Sequence, residues 1–167
     1  MSADQIAVAS SGGGSVRSEL TAALIVGGAT AAAALTGILL RPVGDLSAFW
    51  PANAVLLGLL IRHPQLGKAG GWIAAAIALV AADALTGSSW NKSAMLSACN
   101  LGGVGLGFAM STRLTPRDRL LQRPSSLVAV MLIVLAASLL TSLLGGLTNV
   151  FLFHSGFAHG FFVWLAA

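Results

Sequence analysis

The chain has 167 residues, of which 56% are hydrophobic and only 8% charged, and its mean hydropathy is +0.88. So few polar groups cannot cover the surface of a water-soluble domain, and the composition points instead to an all-α integral membrane protein. The net charge of +4 does not imply nucleic acid, because the Arg and Lys residues lie in short segments between apolar runs and form no basic face.

Residues 1–19, centred on SSGGGS, are polar, Gly- and Ser-rich and without periodicity, which predicts a flexible tail. Residues 20–40 form a run of 21 residues without a charge, enough to cross about 30 Å of hydrocarbon at about 1.5 Å per residue. Arg17 just before it suggests a cleaved signal peptide as the rival reading, but the apolar run is longer than the core of such a peptide. Further apolar segments follow at 49–61, 69–85, 93–110 and 127–149. A sixth opens at residue 157 and is still incomplete at residue 167, so the sequence reads as truncated or as lacking a C-terminal part. The expectation is a polytopic helical bundle with five complete membrane segments, an incomplete sixth and a cytoplasmic N-terminus. Abundant Ala, Gly and Ser would let its helices approach closely where lipid gives no hydrophobic drive to associate.

The N-terminal orientation comes from counting basic residues on each side. With the N-terminus inside, the cytoplasmic side carries Arg17, Arg62, Lys68, Arg113, Arg117, Arg119 and Arg123, while the outside has only Arg41 and Lys92. Trp50 and Trp90 then belong to the outer interface and Trp72 to the inner one. The basic loop at 111–126 reads either as the topology signal alone or as a lipid-headgroup or regulatory site as well.

Against that topology the polar residues fall on one side. Trp50, Pro51 and Asn53 open the second segment in LSAFWPANAVLLGLLIRHP, Asp83 closes the third, Asn100 lies about 10 Å down the fourth, and Asn149 ends the fifth. On the fourth segment Ser93, Ser97, Asn100, Gly103 and Gly107 share one face; on the fifth, Ser138, Thr141, Ser142, Gly145 and Asn149 do the same. Two such stripes predict two helices meeting through Gly103, Gly107 and Gly145. Amides and carboxylates are costly in lipid, so these groups either join helices or line a wet outer pocket formed by Trp50, Asn53, Asp83, Asn100 and Asn149. Pairing of Asp83 with Lys92 or Arg41 is the plainer alternative for that residue.

Other motifs carry less. GGVGLG at 102–107 lies inside an apolar helix and follows no strand, so it reads as packing, not as a dinucleotide loop. His154 and His159 are five apart without an acidic partner, which suits neither one helix face nor a zinc spacing. NKS at 91–93 abuts an apolar segment, a poor place for a glycan. Cys99 is the only cysteine, so no intrachain disulfide or thiolate metal site is available. No constellation suggests catalysis, and no metal or cofactor is implied.

The segment FWPANAVLLGLLIR, a Gly- and Ala-rich helix ending in AADALTGSSW, then ACNLGGVGLGFAM and a final FFVWLAA resemble, in that order, a membrane-associated sensor domain of the MASE kind. The resemblance covers roughly residues 49–167 and places Trp50 with Pro51, Asn100 and Trp164 at the family's motif positions. It departs from the family pattern at Ala52, Asn53 and Ala54 and at Gly103. It implies a sensory input domain in the bacterial inner membrane, ahead of a cyclic-di-GMP enzyme or a histidine kinase. Implied partners are the lipid bilayer, a cytoplasmic output module and an unidentified small ligand, with a homodimer as an option. A small transporter or channel component, with Asp83 and the Asn residues along a polar path, is the alternative.

The basic asymmetry generates a first test. Reporter fusions within residues 113–123 should behave as cytoplasmic and fusions near Trp90 as external; the reverse pattern would invert the topology.

Overall fold

The structure, a computed structural model, describes residues 3–40 and 50–166. Among them there are seven α-helices and no strand: α1 (Ala3–Leu39), α2 (Pro51–Arg62), α3 (Ala69–Leu85), α4 (Trp90–Ser111), α5 (Pro116–Arg119), α6 (Pro124–Phe153) and α7 (Phe157–Ala166). Arg41 and Phe49, which the sequence reading places at the outer end of the first and second segments, lie outside the described residues.

Among the described residues three helices are long and apolar enough to cross a membrane: Ser15–Leu39 within α1, Trp90–Ser111, and Pro124–Leu152 within α6. The expected five complete segments are not supported. The reason is local. Pro51 opens α2 at its first position and Pro64 forces a 3-10 turn directly after it, leaving 12 residues, or about 18 Å at the usual rise. α3 has 17 residues and ends at a turn where Gly87 takes φ +91°, a conformation that costs glycine little. α6 ends on His154, which adopts the left-handed conformation at φ +51°.

α1 runs from Ala3, through the residues read in the sequence as a polar tail, to Leu39. Near its middle α1 is tied to the start of α3: the Lys68 ammonium donates to Ser18 Oγ at 2.7 Å, and Gly70 N–H donates to Glu19 Oε2 at 2.7 Å. A carboxylate at the start of α3 satisfies a free N–H and complements the helix dipole. Gly27 lies against Ala74 and Gly70 against the Glu19 backbone, positions where a Cβ would collide, so α1 and α3 run parallel in close contact.

α4 and α6 run antiparallel, in a register fixed by four contacts. Cys99 Sγ lies 3.2 Å from Thr148 Oγ1, Gly102 faces Leu144, Gly103 faces Thr141 and the Ala137 carbonyl, and Gly107 faces Ala137 and Leu57 of α2. The two small-residue stripes therefore do meet. Gly145 serves a different neighbour, lying under the Trp164 indole of α7.

Between α4 and α6 a short loop is clasped by a capping box in α5. Thr115 and Asp118 bond reciprocally, and Ser126 Oγ donates to Asp118 Oδ1 at 2.7 Å. The Thr115 hydroxyl and then the Ser126 hydroxyl hold the Asp118 carboxyl below its ordinary range, with Arg123 adding a smaller effect. A lowered folded-state pKa supports the clasp above the ordinary carboxylate range, and that support is lost as pH falls through the lowered value.

One end of the bundle collects most of the basic residues, with Lys92 in the first turn of α4 at the other end. Lys68 touches Ser18, Gly67 abuts Phe108, and the Arg119 guanidinium reaches the Ser111 carbonyl, so Arg17, Arg62, Lys68 and the Arg113–Arg123 loop lie together. Trp72 stacks edge-on against Phe108 at this end, with centroids 5.9 Å apart. The neighbouring core contains Val26, Leu56, Leu60, Leu66, Val104 and Ile133. A second core of Ala33, Ala34, Ala52, Leu79 and Ala82, with Trp50 against it, closes the opposite end. Leu24, Ile73, Ile77, Met131 and Leu132 point outward while Thr30, Ser93, Ser97 and Ser142 are buried, the reverse of a water-soluble protein.

These contacts order three substitutions. Gly103→Leu and Gly145→Leu should each lose at least about 1–3 kcal/mol through overpacking, whereas Gly58→Leu, whose Cβ meets nothing within 4 Å, should lose far less. Folded yield and thermal melting in detergent measure the order; equal losses would remove both close contacts.

Candidate functional site

A partly open cavity of about 320 Å³ lies between α2, α4, α6 and α7 and reaches Asp83 of α3. It forms where helices that touch elsewhere diverge. Gly103 and Gly107 pull α4 onto α6 and α2, while Gly58 of α2 presents no side chain on the cavity side. Leu57, Ile61, Val104, Val130 and Val134 supply apolar wall, and Ser138 and Thr141 add hydroxyls. Trp164 closes the side formed by α7.

Four of the five residues expected to share a pocket line this one: Trp50, Asn53, Asp83 and Asn100. They converge because α2 begins at Pro51, which sets Asn53 in the first turn at the height of Asn100 on α4. The Asn53 amide Nδ2 donates to Asn100 Oδ1 at 2.9 Å across 47 residues of sequence. Asn100 and Asp83 are each only 4% exposed. The Asp83 backbone carbonyl accepts from the Thr86 hydroxyl at 2.9 Å and from Ser88 N–H at 3.2 Å, which anchors the end of α3.

Asn149 does not line the cavity. Its amide donates to Ser155 Oγ, its carbonyl accepts from Ser155 N–H, and its side chain packs on Gly160. It joins α6 to α7 across their turn. Among the packing glycines, Gly103 and Gly107 hold the back wall together and Gly145 seats Trp164. Sequence spacing did not indicate the α6 wall residues Val130 and Val134, since apolar residues occur all around that helix. Trp164 entered only through the family resemblance; no periodic signal marks it.

Among the described residues of the lining, Asp83 is the one ionisable group. Two polar atoms at this end, Trp50 Nε1 and Asn53 Oδ1, are shielded from water and have no hydrogen-bond partner, at a cost of about 1–3 kcal/mol each. Ser93 and Ser97 on the same face of α4 share that condition. Among the described residues no group of three His, Cys, Asp or Glu side chains could hold a metal ion. The arrangement suits reversible binding of a mostly apolar molecule with one polar end.

No protein-family model matches the sequence, and no curated protein or solved structure matches it.

The Asn pair is open to a double-mutant cycle. Asn53→Leu and Asn100→Leu should show a coupling of about 0.6–2 kcal/mol in unfolding free energy, because either single change strands the other amide. Strict additivity would mean that the two amides are not bonded to each other.

Proposed function

We propose that this chain is a membrane-embedded sensory input domain of a bacterial signal-transduction protein, in which occupancy of the cavity shifts α7. The observation that carries this reading is the double contact of Trp164, which lines the cavity and also rests on Gly145. A ligand entering the cavity must meet the indole, and the indole can move only by altering how α7 sits on α6. Helix displacement of this sort is the usual means by which packed helices report a ligand.

The bilayer setting is supported by three long apolar helices, by outward-facing aliphatic side chains and by the collection of basic residues at one end. The proposed orientation puts that end in the cytoplasm and the Trp50 end outside, in a multi-pass inner-membrane protein. The resemblance to MASE-type sensor domains, carried by Trp50, Pro51, Asn100 and Trp164, agrees with this reading and suggests a cyclic-di-GMP enzyme or a histidine kinase as the output partner. A transporter or channel is less well supported. Its path would need polar groups along the whole cavity, whereas Ile61 and Val130 line the end away from Asn53 and Asp83.

The test uses the full chain with a reporter cyclase or kinase fused after α7. Trp164→Ala should shift reporter output by at least about fivefold, the low end of typical allosteric coupling. Phe162→Ala, on an exposed face of α7, should leave it unchanged. Asp83→Asn should also change the output if its carboxylate contributes to sensing, since the amide preserves volume. Unchanged output in Trp164→Ala and Asp83→Asn at equal membrane levels would refute the reading.

A further inference from the structure

Where α1 passes the 3-10 turn between α2 and α3, an open groove is lined by Arg17, Ser18, Thr21, Gln65, Leu66 and Lys68. We propose that this groove holds the phosphate of an anionic glycerophospholipid, with an acyl chain running along the outer face of α1. The inference rests on the bilayer setting proposed above and is independent of the sensing role.

The groove is cationic. Ser18 Oγ donates to the Ser15 carbonyl at 2.8 Å and Thr21 Oγ1 to the Arg17 carbonyl at 2.9 Å, so neither hydroxyl has a proton left for a ligand. Ser18 in turn accepts from the Lys68 ammonium at 2.7 Å, which holds that charge in the groove with further N–H groups still to bond. The exposed Arg17 guanidinium offers a planar fork suited to phosphate, and the Gln65 amide adds neutral donors. Among the described residues no carboxylate lines the groove. Glu19 serves α3 instead, where Gly70 N–H donates to it at 2.7 Å. A choline or ethanolamine head would bring its ammonium beside Arg17 and Lys68 with nothing to offset it, whereas an anionic head brings no cation.

The position of the groove selects a lipid over a free phosphate. Arg17, Ser18 and Thr21 lie at the start of the apolar stretch Ser15–Leu39, and Trp72 in the first turn of α3 stands at the same end, where an interfacial indole belongs. Beyond Arg17 and Thr21 the same face of α1 continues through Leu24, Ile25 and Gly28 at helical spacing. Leu24 is 77% and Ile25 45% exposed, and nothing lies within 4 Å of where a Gly28 Cβ would be. From Arg17 to Gly28 this strip is about 16 Å long at the helical rise, so a head in the groove leads its chain onto exposed apolar helix. Basic pockets between membrane helices are a recurrent seat for anionic lipid heads.

The test places the full chain in uncharged dodecyl maltoside micelles and adds phosphatidylglycerol, phosphatidylcholine or glycerol 3-phosphate in turn, reading retained ligand by native mass spectrometry. A single phosphatidylglycerol per chain should be retained at concentrations where phosphatidylcholine is not. Arg17→Gln should weaken that binding about fivefold, the effect of one basic side chain on an anionic lipid. Thr21→Trp, which fills the groove without changing its charge, should weaken it at least as much. Arg117→Gln, an equal loss of charge on the exposed surface of α5, should leave it unchanged. Equal retention of the two lipids would overturn recognition of an anionic head, and an equal loss in Arg117→Gln would reduce the effect to net charge. Glycerol 3-phosphate bound as well as the lipid would overturn the part given to the acyl chain, and undiminished binding in Thr21→Trp would refute the groove as the site. Release of the chain from membranes by alkali would defeat the bilayer reading and this inference together; firm retention in membranes without a preference for phosphatidylglycerol would defeat this inference alone.

Discussion

The close approach of α4 to α6 at Gly103 governs the rest of the bundle. No side chain fits between that glycine and Thr141 with the Ala137 carbonyl, so the two backbones meet there and the helices lock in height. Once they are locked, Asn100 is held at the level of Asn53, and Gly107 brings α2 against the same seam. Only then do Val130 and Val134 of α6 stand back from Leu57 of α2 far enough to leave a space. The cavity is a geometric consequence of one tight contact and does not require any residue to be strained.

Much of this was legible in the sequence because the informative residues are exceptions in their surroundings. Gly103 and Gly107 stand out at a spacing of four in an apolar helix, and they do form the seam. Asn53, Asp83 and Asn100 stand out as polar groups in apolar runs, and they do converge. The count of complete spans was not legible, because an apolar run shows where a helix lies but not how soon a proline or a positive-φ residue ends it. Pro51, Pro64 and Gly87 decide that question for α2 and α3. Asn149 shows the opposite difficulty. Its spacing places it on the right stripe, but the turn to α7 follows within a few residues, and Ser155 and Gly160 engage it first. Only the fold can reveal such a competition between a face and a turn.

The uneven distribution of polarity along the cavity connects structure to the proposed sensing role. Its amides and the Asp83 carboxyl are at the end remote from Arg17, Arg62, Lys68 and the Arg113–Arg123 loop, and the wall towards that loop is aliphatic. α2, α3 and α4 supply the amides and the carboxyl, while α6 and α7 supply most of the opposite wall, including the Ser138 and Thr141 hydroxyls. Two of these helices are anchored. α3 is tied to α1 by Glu19 and Lys68, and α4 is seamed to α6.

α7 is held differently. Its contacts are with α6, through Trp164 on Gly145, Phe157 on Gly146 and Gly160 on Asn149, and none of these is an ion pair or a backbone ladder. Glycine presents no side chain to interlock with an aromatic ring, so an indole lying on Gly145 can slide or tilt without breaking hydrogen bonds. Among the cavity walls α7 packs chiefly on α6, so on the sensing reading proposed above it is the wall that filling of the cavity would displace. On that reading, a bundle whose α4 is seamed to α6 and whose α3 is tied to α1 would convert filling of the cavity into movement of α7 rather than general swelling.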